Sequence, residues 1–183
     1  GLFVCAAWLV GRRRSKEAGI VAGVLAAATG WVTYLSGVAY VENGMLLMGM
    51  LACGCVGRAA ALDDRTLAIK WCVLAGIFAG FACGFKYTAC VLIALPLVVL
   101  MLIALRGNFV RRLVLTVIFG IASLIAFAPW LVKNIVMTGN PVFPLLGSVF
   151  TSYPTGWGAE EAAHFTEAHA PAPEEATLSA RLS

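Results

Sequence analysis

Residues 113–132, LVLTVIFGIASLIAFAPWLV, form a run of twenty residues that contains no charged side chain. Arg111 and Arg112 precede the run and Lys133 follows it. An α-helix of about 20 residues extends about 30 Å, which is the thickness of the hydrocarbon core of a bilayer. The stretch therefore predicts a membrane-spanning helix with basic residues at both of its boundaries.

The composition of the whole chain points to the same environment. The 183 residues are 61% hydrophobic and 12% charged, whereas a soluble domain has about 25% charged residues. Hydropathy predicts five spans, at residues 18–38, 43–62, 71–85, 87–105 and 113–132. The apolar run Leu2–Val10 is too short to cross, and we expect it to be the second half of a longer helix. The predicted fold is an all-α polytopic transmembrane helix bundle with about five spans, an N-terminal half-helix and a short outer segment.

Basic residues predict the orientation of these spans. Strict alternation places ten basic residues on one side of the membrane and only Lys86 and Lys133 on the other. Because the cytoplasmic side of a membrane protein is enriched in Lys and Arg, the Lys86 side is expected to face outward. We expect a multi-pass protein of the bacterial inner (plasma) membrane. The basic side contains Arg12, Arg13, Arg14, Lys16, Arg58, Arg65, Lys70, Arg106, Arg111 and Arg112.

Charge and composition also divide the chain into two parts. Residues 1–150 contain twelve Lys or Arg and four acidic residues, whereas residues 151–183 contain one Arg and five Glu. We predict a partial transmembrane bundle over residues 1–150 and an extracytoplasmic segment, the start of a truncated soluble part, over residues 151–183. A short amphipathic helix is expected near residues 159–169.

Small residues predict how the helices pack. Gly76, Gly80 and Gly84 recur at every fourth position, a spacing that lets two membrane helices approach closely.

The six cysteines lie in apolar segments and have no metal-site spacing, and His164 with Glu160 lacks a third ligand. We therefore predict neither a metal nor a cofactor.

Four polar residues near the predicted outer helix ends are candidates for function. Glu42 either faces a water-filled cavity, where it contacts a substrate or a basic partner, or is an ordinary interfacial residue. Lys86 suits a phosphate as a compact positive charge, or else anchors its helix at the interface. Lys133 and Asn134 have the same two interpretations, and Lys133 follows Trp130 in the manner of an interfacial anchor.

Three segments resemble a known group of membrane enzymes. They are AYVEN at 39–43, LAGIFAGFACGFKYTA at 74–89, and PWLVKN at 129–134 followed by TGNPVFP at 138–144. Their order and spacing resemble the polytopic glycosyltransferases of the GT-C class, in particular the protein-mannosyltransferase-like and RgtA/B/C/D-like group. The resemblance covers roughly residues 18–150.

The resemblance implies an activity and assigns roles. Such enzymes transfer a sugar from a polyprenyl-phosphate donor to a glycan, lipid or protein acceptor at the non-cytoplasmic face. Lys86 would then contact the carrier phosphate, with Tyr87 beside it among the substrate-binding residues. Lys133 and Asn134 would line the cavity, and Glu42 would be a second acidic position. The catalytic acid of the group lies in the first outer loop, upstream of these residues, so we expect this stretch to lack it.

Two other functions remain open at this stage. Glycine-interrupted helices and isolated charges within the membrane are also typical of transporters, although transporters place polar groups near the midplane. A non-catalytic membrane subunit is the third possibility. The lipid bilayer is an expected partner in all three cases, and nucleic acid is not.

Overall fold

The structure, a computed structural model, describes residues 2–37, 40–147, 149–150 and 157–170. Every regular element in these residues is helical. The chain divides into two compact units, Gly1–Pro129 and Trp130–Ser183. The elements are α1 (Leu2–Gly11), α2 (Lys16–Ala28), α3 (Gly30–Gly37), α4 (Glu42–Ala60), α5 (Arg65–Phe85), a π-helical turn (Cys90–Ala94), α6 (Leu95–Ala104), α7 (Phe109–Thr138) and α8 (Ala159–Ala168).

Three of these helices, α4, α5 and α7, are long and apolar enough to cross a membrane. This finding confirms the all-α class and indicates a membrane protein. Within the described residues the number of clear spans is nevertheless three, fewer than the five expected from hydropathy.

The predicted span 18–38 is divided into α2 and α3. Thr29 has an extended backbone (φ −68°, ψ 106°), which ends α2 after about three and a half turns. The Thr29 hydroxyl donates to the carbonyl oxygen of Leu25 at 2.8 Å, and its backbone N–H bonds to the same carbonyl. Local side-chain hydrogen bonds of this kind compete with helix continuation.

The predicted span 87–105 is also shorter as a helix than its apolar run. It forms the π-helical turn and α6, which together cover Cys90–Ala104. Pro96 lies at the beginning of α6. Because proline has no N–H to donate to the preceding turn, the helical hydrogen-bond pattern is interrupted on its N-terminal side, where the π-helical turn lies.

Two spans are longer than their apolar runs because polar residues cap them. Asp64 precedes α5 and accepts hydrogen bonds from the backbone N–H of Thr66 at 2.7 Å and of Leu67 at 3.2 Å. α5 therefore begins at Arg65 and includes Lys70. Likewise, the Asn108 side chain accepts from the backbone N–H of Arg111 at 2.9 Å at the start of α7. Gly139, with φ of 69°, follows the last residue of α7 in the left-handed conformation that favours glycine.

Small side chains dominate the core of the first unit. A four-residue turn joins α4 and α5, and Ala and Cys side chains fill much of their interface. Larger residues of α6 and α7 close the cluster around them. Its buried members are Ala52, Cys55, Val56, Ala59, Ala68, Cys72, Ala75, Ala79, Leu97, Met101, Leu105, Leu115 and Phe119.

The glycine stripe contacts α7, as its spacing predicts. A Cβ atom at Gly76 would overlap the carbonyl oxygen of Phe119, and one at Gly80 would overlap that of Ser123. Gly84 differs, because a Cβ atom there would have no neighbour within 4 Å. Two of the three glycines therefore allow α5 and α7 to pack backbone against backbone.

Arginine side chains connect the turns at the basic end of the first unit. Arg111 donates to the carbonyl oxygens of Leu62 at 3.2 Å and Asp63 at 2.9 Å. Arg106 forms an ion pair with Asp63 at 2.8 Å. Backbone carbonyls in a turn between helices have no intrahelical partner, so the Arg111 guanidinium satisfies two of them by hydrogen bonding.

The second unit is built on a polar turn and a small aromatic cluster. Asn140 is buried, and its side chain donates to the carbonyl oxygen of Leu145 at 2.7 Å and accepts from the N–H of Val142 at 2.9 Å. The rings of Phe143 and Phe165 lie 5.0 and 6.1 Å from Trp157. The helix expected near residues 159–169 is observed as α8.

Candidate functional site

The antiparallel arrangement of α4 and α5 brings Glu42 and Lys86 together. Glu42 is the first residue of α4 and Lys86 is the C-cap of α5, 44 residues later in the sequence. The Lys86 Nζ atom lies 2.8 Å from Glu42 Oε1. Gly44 makes this approach possible, since a Cβ atom there would come within 2.9 Å of the Phe85 ring.

The two charges of this pair have different environments. The Lys86 side chain is 47% exposed, whereas the Glu42 side chain is 17% exposed. Glu42 Oε2 is buried and has no hydrogen-bond partner among the described residues. Lysine carries three N–H donors, and one of them is directed at Glu42. The ammonium group is therefore oriented by Glu42 and still accessible to a further acceptor.

Helix dipoles favour the sign of each charge. Glu42 lies at the N-terminus of α4, where the helix dipole favours a negative charge. Lys86 lies at the C-terminus of α5, where the dipole favours a positive charge. The pair thus stabilises the two helix ends, whatever further role it has.

Tyr87 and Thr88 direct their side chains toward neighbouring helices. The Tyr87 ring packs edge-to-face against Phe127 of α7, with 6.1 Å between ring centroids. The Thr88 hydroxyl lies 3.9 Å from the sulfur of Met45 in α4. These contacts fix the backbone that follows Lys86 against two helices of the first unit.

Lys133 and Asn134 belong to the second unit and make local contacts within it. The Lys133 ammonium lies 4.4 Å from the centroid of the Trp130 ring, a cation–π geometry. The Asn134 side chain is buried and donates to the carbonyl oxygen of Pro141 at 3.3 Å. Thr138 in turn donates to the Asn134 carbonyl at 2.8 Å. Asn134 therefore stabilises the turn that follows α7.

A cavity of about 530 Å³ lies between α1, α2, α3 and α4. Leu2, Phe3 and Val4 of α1 and Val32 of α3 form much of its apolar wall. Thr33 and Asn43 contribute polar groups, and Asn43 directly follows Glu42. Cavities of this size and mixed lining are typical of small-molecule sites.

Sequence reasoning did not single out Thr33 or Asn43. Their signal was present, since Asn43 adjoins Glu42 and Thr33 interrupts an apolar run. The break between α2 and α3 was not predicted from the sequence, and this break places Thr33 in the wall of the cavity.

Metal-binding groups do not converge in the described part of the chain, where no three His, Cys, Asp or Glu side chains could hold an ion together. His169 Nδ1 lies 2.7 Å from the carbonyl oxygen of Phe165. The centroids of the His169 and Phe165 rings are 4.1 Å apart. His169 is therefore held against α8 by a backbone contact and by ring packing.

Fold and site together define a helical membrane protein with an oriented lysine–carboxylate pair at one end of a helix hairpin. Residues 46–164 match a family described as a domain of unknown function (DUF8201), and the chain belongs to this family. The match includes Lys86, Tyr87, Lys133 and Asn134, whereas Glu42 lies just before it. No curated protein and no solved structure matches the chain.

Proposed function

We propose that this chain is part of a GT-C-class membrane glycosyltransferase that moves a sugar from a polyprenyl-phosphate donor to a glycan, lipid or protein acceptor. The reaction would take place at the non-cytoplasmic face. The observation that carries the proposal is the ion pair between Glu42 and Lys86. Asn43, the residue after Glu42, lines the cavity between α1, α2, α3 and α4.

Lys86 suits the phosphate of such a donor for three reasons. Its ammonium is half exposed, its direction is fixed by Glu42, and it is a compact charge able to contact a phosphate oxygen. In this assignment Lys86 holds the carrier phosphate and Glu42 positions Lys86.

The broken helices are compatible with the five-span bundle that the resemblance implies. The segments α2 with α3, and the π-helical turn with α6, would provide the two additional crossings. Interrupted helices are tolerated within a membrane where they are buried in protein or line a cavity. Val32 and Thr33 of α3 do line one. The proposed role of Lys133 and Asn134, lining the cavity, rests on the resemblance to the GT-C class alone. In the structure both residues make local contacts, with Trp130 and with the turn after α7.

The proposal is tested by sugar transfer from a polyprenyl-phosphate donor, measured with membranes containing the full-length protein. Lys86→Ala should lose at least about tenfold in donor use, because removing one charge-assisted hydrogen bond costs about 1.5–3 kcal/mol. Lys86→Arg should retain part of the activity. Lys16→Ala, at the opposite end of the first unit, is the matched control. Transfer at the wild-type rate by Lys86→Ala at equal protein level would refute the role.

A transporter is the second candidate, and the helix break at Thr29 favours it because discontinuous helices form many transport sites. The two functions differ in product. Reconstituted protein that moves a solute across vesicles, and that forms no glycosidic bond with any polyprenyl-phosphate sugar, would favour transport.

A further inference from the structure

The two faces of α5 differ in side-chain size. The side that packs inside the first unit consists of small residues, with Ala68, Cys72, Ala75, Ala79 and Ala82 all fully buried. The opposite side exposes large apolar residues, among them Leu67, Leu74 and Phe81. In a membrane, such an apolar outer face contacts lipid chains or another helix.

Lys70 interrupts this apolar face. It is the sixth residue of α5, so its Cα atom lies about 7.5 Å along the axis from the first residue, Arg65. Its side chain is exposed and has no ion-pair partner among the described residues. The two nearest acids in sequence are already engaged, because Asp63 binds Arg106 and Asp64 caps α5.

Lys70 also borders a shallow, open groove of about 380 Å³ on the surface of α5. The other lining residues are Ile69, Val73, Leu74 and Ile77, all from α5. The groove thus has a cationic group toward the basic end of the first unit and an apolar surface along the next two turns. This order of charge and hydrocarbon contact matches that of a phospholipid.

We propose that this groove binds an anionic phospholipid, with the phosphate on Lys70 and an acyl chain along Val73, Leu74 and Ile77. A long lysine stem can lie on apolar surface while its ammonium reaches the headgroup region, where the phosphate supplies the missing counter-charge. Exposed Arg14, Arg58 and Arg65 at the same end of the first unit strengthen the preference for anionic lipid.

A phospholipid fits this surface better than a further apolar helix does. A helix packed on Val73 and Leu74 would leave the Lys70 charge without a counter-ion, which is unfavourable within the membrane. An anionic lipid satisfies the charge and the apolar groove together. The site is also separate from the Glu42–Lys86 pair, because Lys70 and Lys86 are about 24 Å apart along α5.

Native mass spectrometry of the full-length protein, purified in a neutral detergent, tests the proposal with added phosphatidylglycerol and phosphatidylcholine. Wild-type protein should retain phosphatidylglycerol in preference to phosphatidylcholine. Lys70→Gln should reduce that preference about fivefold, the equivalent of about 1 kcal/mol for one lysine at a lipid surface. Lys70→Arg should preserve it, and Lys16→Gln, which removes a charge outside the groove, should change it little.

A second variant tests the apolar part of the groove. Leu74→Trp should fill the space and weaken retention of both lipids, while thermal stability without added lipid shows whether the protein is still folded. Equal preference for phosphatidylglycerol in wild-type protein, Lys70→Gln and Lys16→Gln would overturn the proposal. So would an absence of lipid preference in the wild type, which would indicate that another helix of the full-length protein covers α5.

Discussion

Gly80 of α5 lies directly against the backbone carbonyl of Ser123 in α7, with no room between them for even a methyl group. The side chain of Ala126 is also close, since a Cβ atom at Gly80 would come within 2.8 Å of its Cβ atom. Backbone carbonyls cannot move aside as a flexible side chain can. The α5–α7 distance in the first unit is therefore set by glycine.

Gly80→Ala is expected to destabilise the protein by about 1–3 kcal/mol, the usual effect of overpacking a tight contact. Gly84→Ala is the matched control, because it lies one turn away on the same helix with open space around it. Alanine there should be neutral or slightly stabilising, since it favours the helix more than glycine does. Thermal unfolding of both variants in one detergent would test this, and equal melting temperatures would mean that the contact contributes little.

The glycine contact shows what sequence alone can predict about this fold. Gly76 and Gly80 were identified from spacing, and residues 113–132 from hydropathy, because both signals are regular over several turns. The ends of the helices were less predictable. Asp64 and Asn108 cap their helices from outside the apolar runs, so α5 and α7 begin earlier than hydropathy indicates.

Interruptions inside the apolar runs were the larger difficulty. The break at Thr29 depends on one hydroxyl and one backbone angle, which an average over about twenty residues does not register. The pairing of Glu42 with Lys86 could be predicted in part from the sequence, since contact with a basic partner was one of the two interpretations of Glu42. Its geometry required the helix lengths and the small Gly44, which only the structure supplies.

Orientation is the second prediction, and it rests on the uneven distribution of basic residues. In a cysteine-free background, Thr88→Cys should react with a membrane-impermeant maleimide in intact cells. Ala61→Cys, in the turn between α4 and α5, should react only after lysis. Both positions are exposed in the structure, so the difference would report the side of the membrane rather than burial. Labelling in the reverse order would contradict the positive-inside assignment.

The third prediction concerns the pH dependence of α8. The Glu161 carboxylate accepts a hydrogen bond from the Gly158 backbone N–H at 2.7 Å. Hydrogen bonds from the backbone N–H of Glu161 itself and from that of Gly158 lower the pKa of Glu161 below its ordinary value of 4.5. A carboxyl group with a lowered pKa stabilises the folded state above its ordinary pKa, and this stabilisation is lost as pH falls through the lower folded value.

A spin label at the exposed position 163 should therefore become more mobile as the pH is lowered from about 5 to below the ordinary carboxyl pKa. Glutamine can also cap a helix from this position, so Glu161→Gln should keep the label ordered at both pH values. Glu160→Gln, at an exposed neighbour without a bond to Gly158, should leave the pH dependence of the wild type unchanged. A pH response that persists in Glu161→Gln would assign the effect to another group.

The last prediction separates the structural role of the Glu42–Lys86 pair from its proposed catalytic use. Lys86→Gln should destabilise the protein more than Glu42→Gln does, because it leaves a mostly buried carboxylate with Oε2 still lacking a partner. Glu42→Gln instead leaves a lysine that is half exposed to solvent. The double variant should be more stable than Lys86→Gln alone, since it removes the unpaired carboxylate.

Thermal unfolding of the four proteins gives this double-mutant cycle, and sugar transfer by the same membranes gives the second readout. If Lys86 holds the donor phosphate, the double variant regains stability without regaining transfer, whereas parallel recovery of both would reduce the pair to a structural contact.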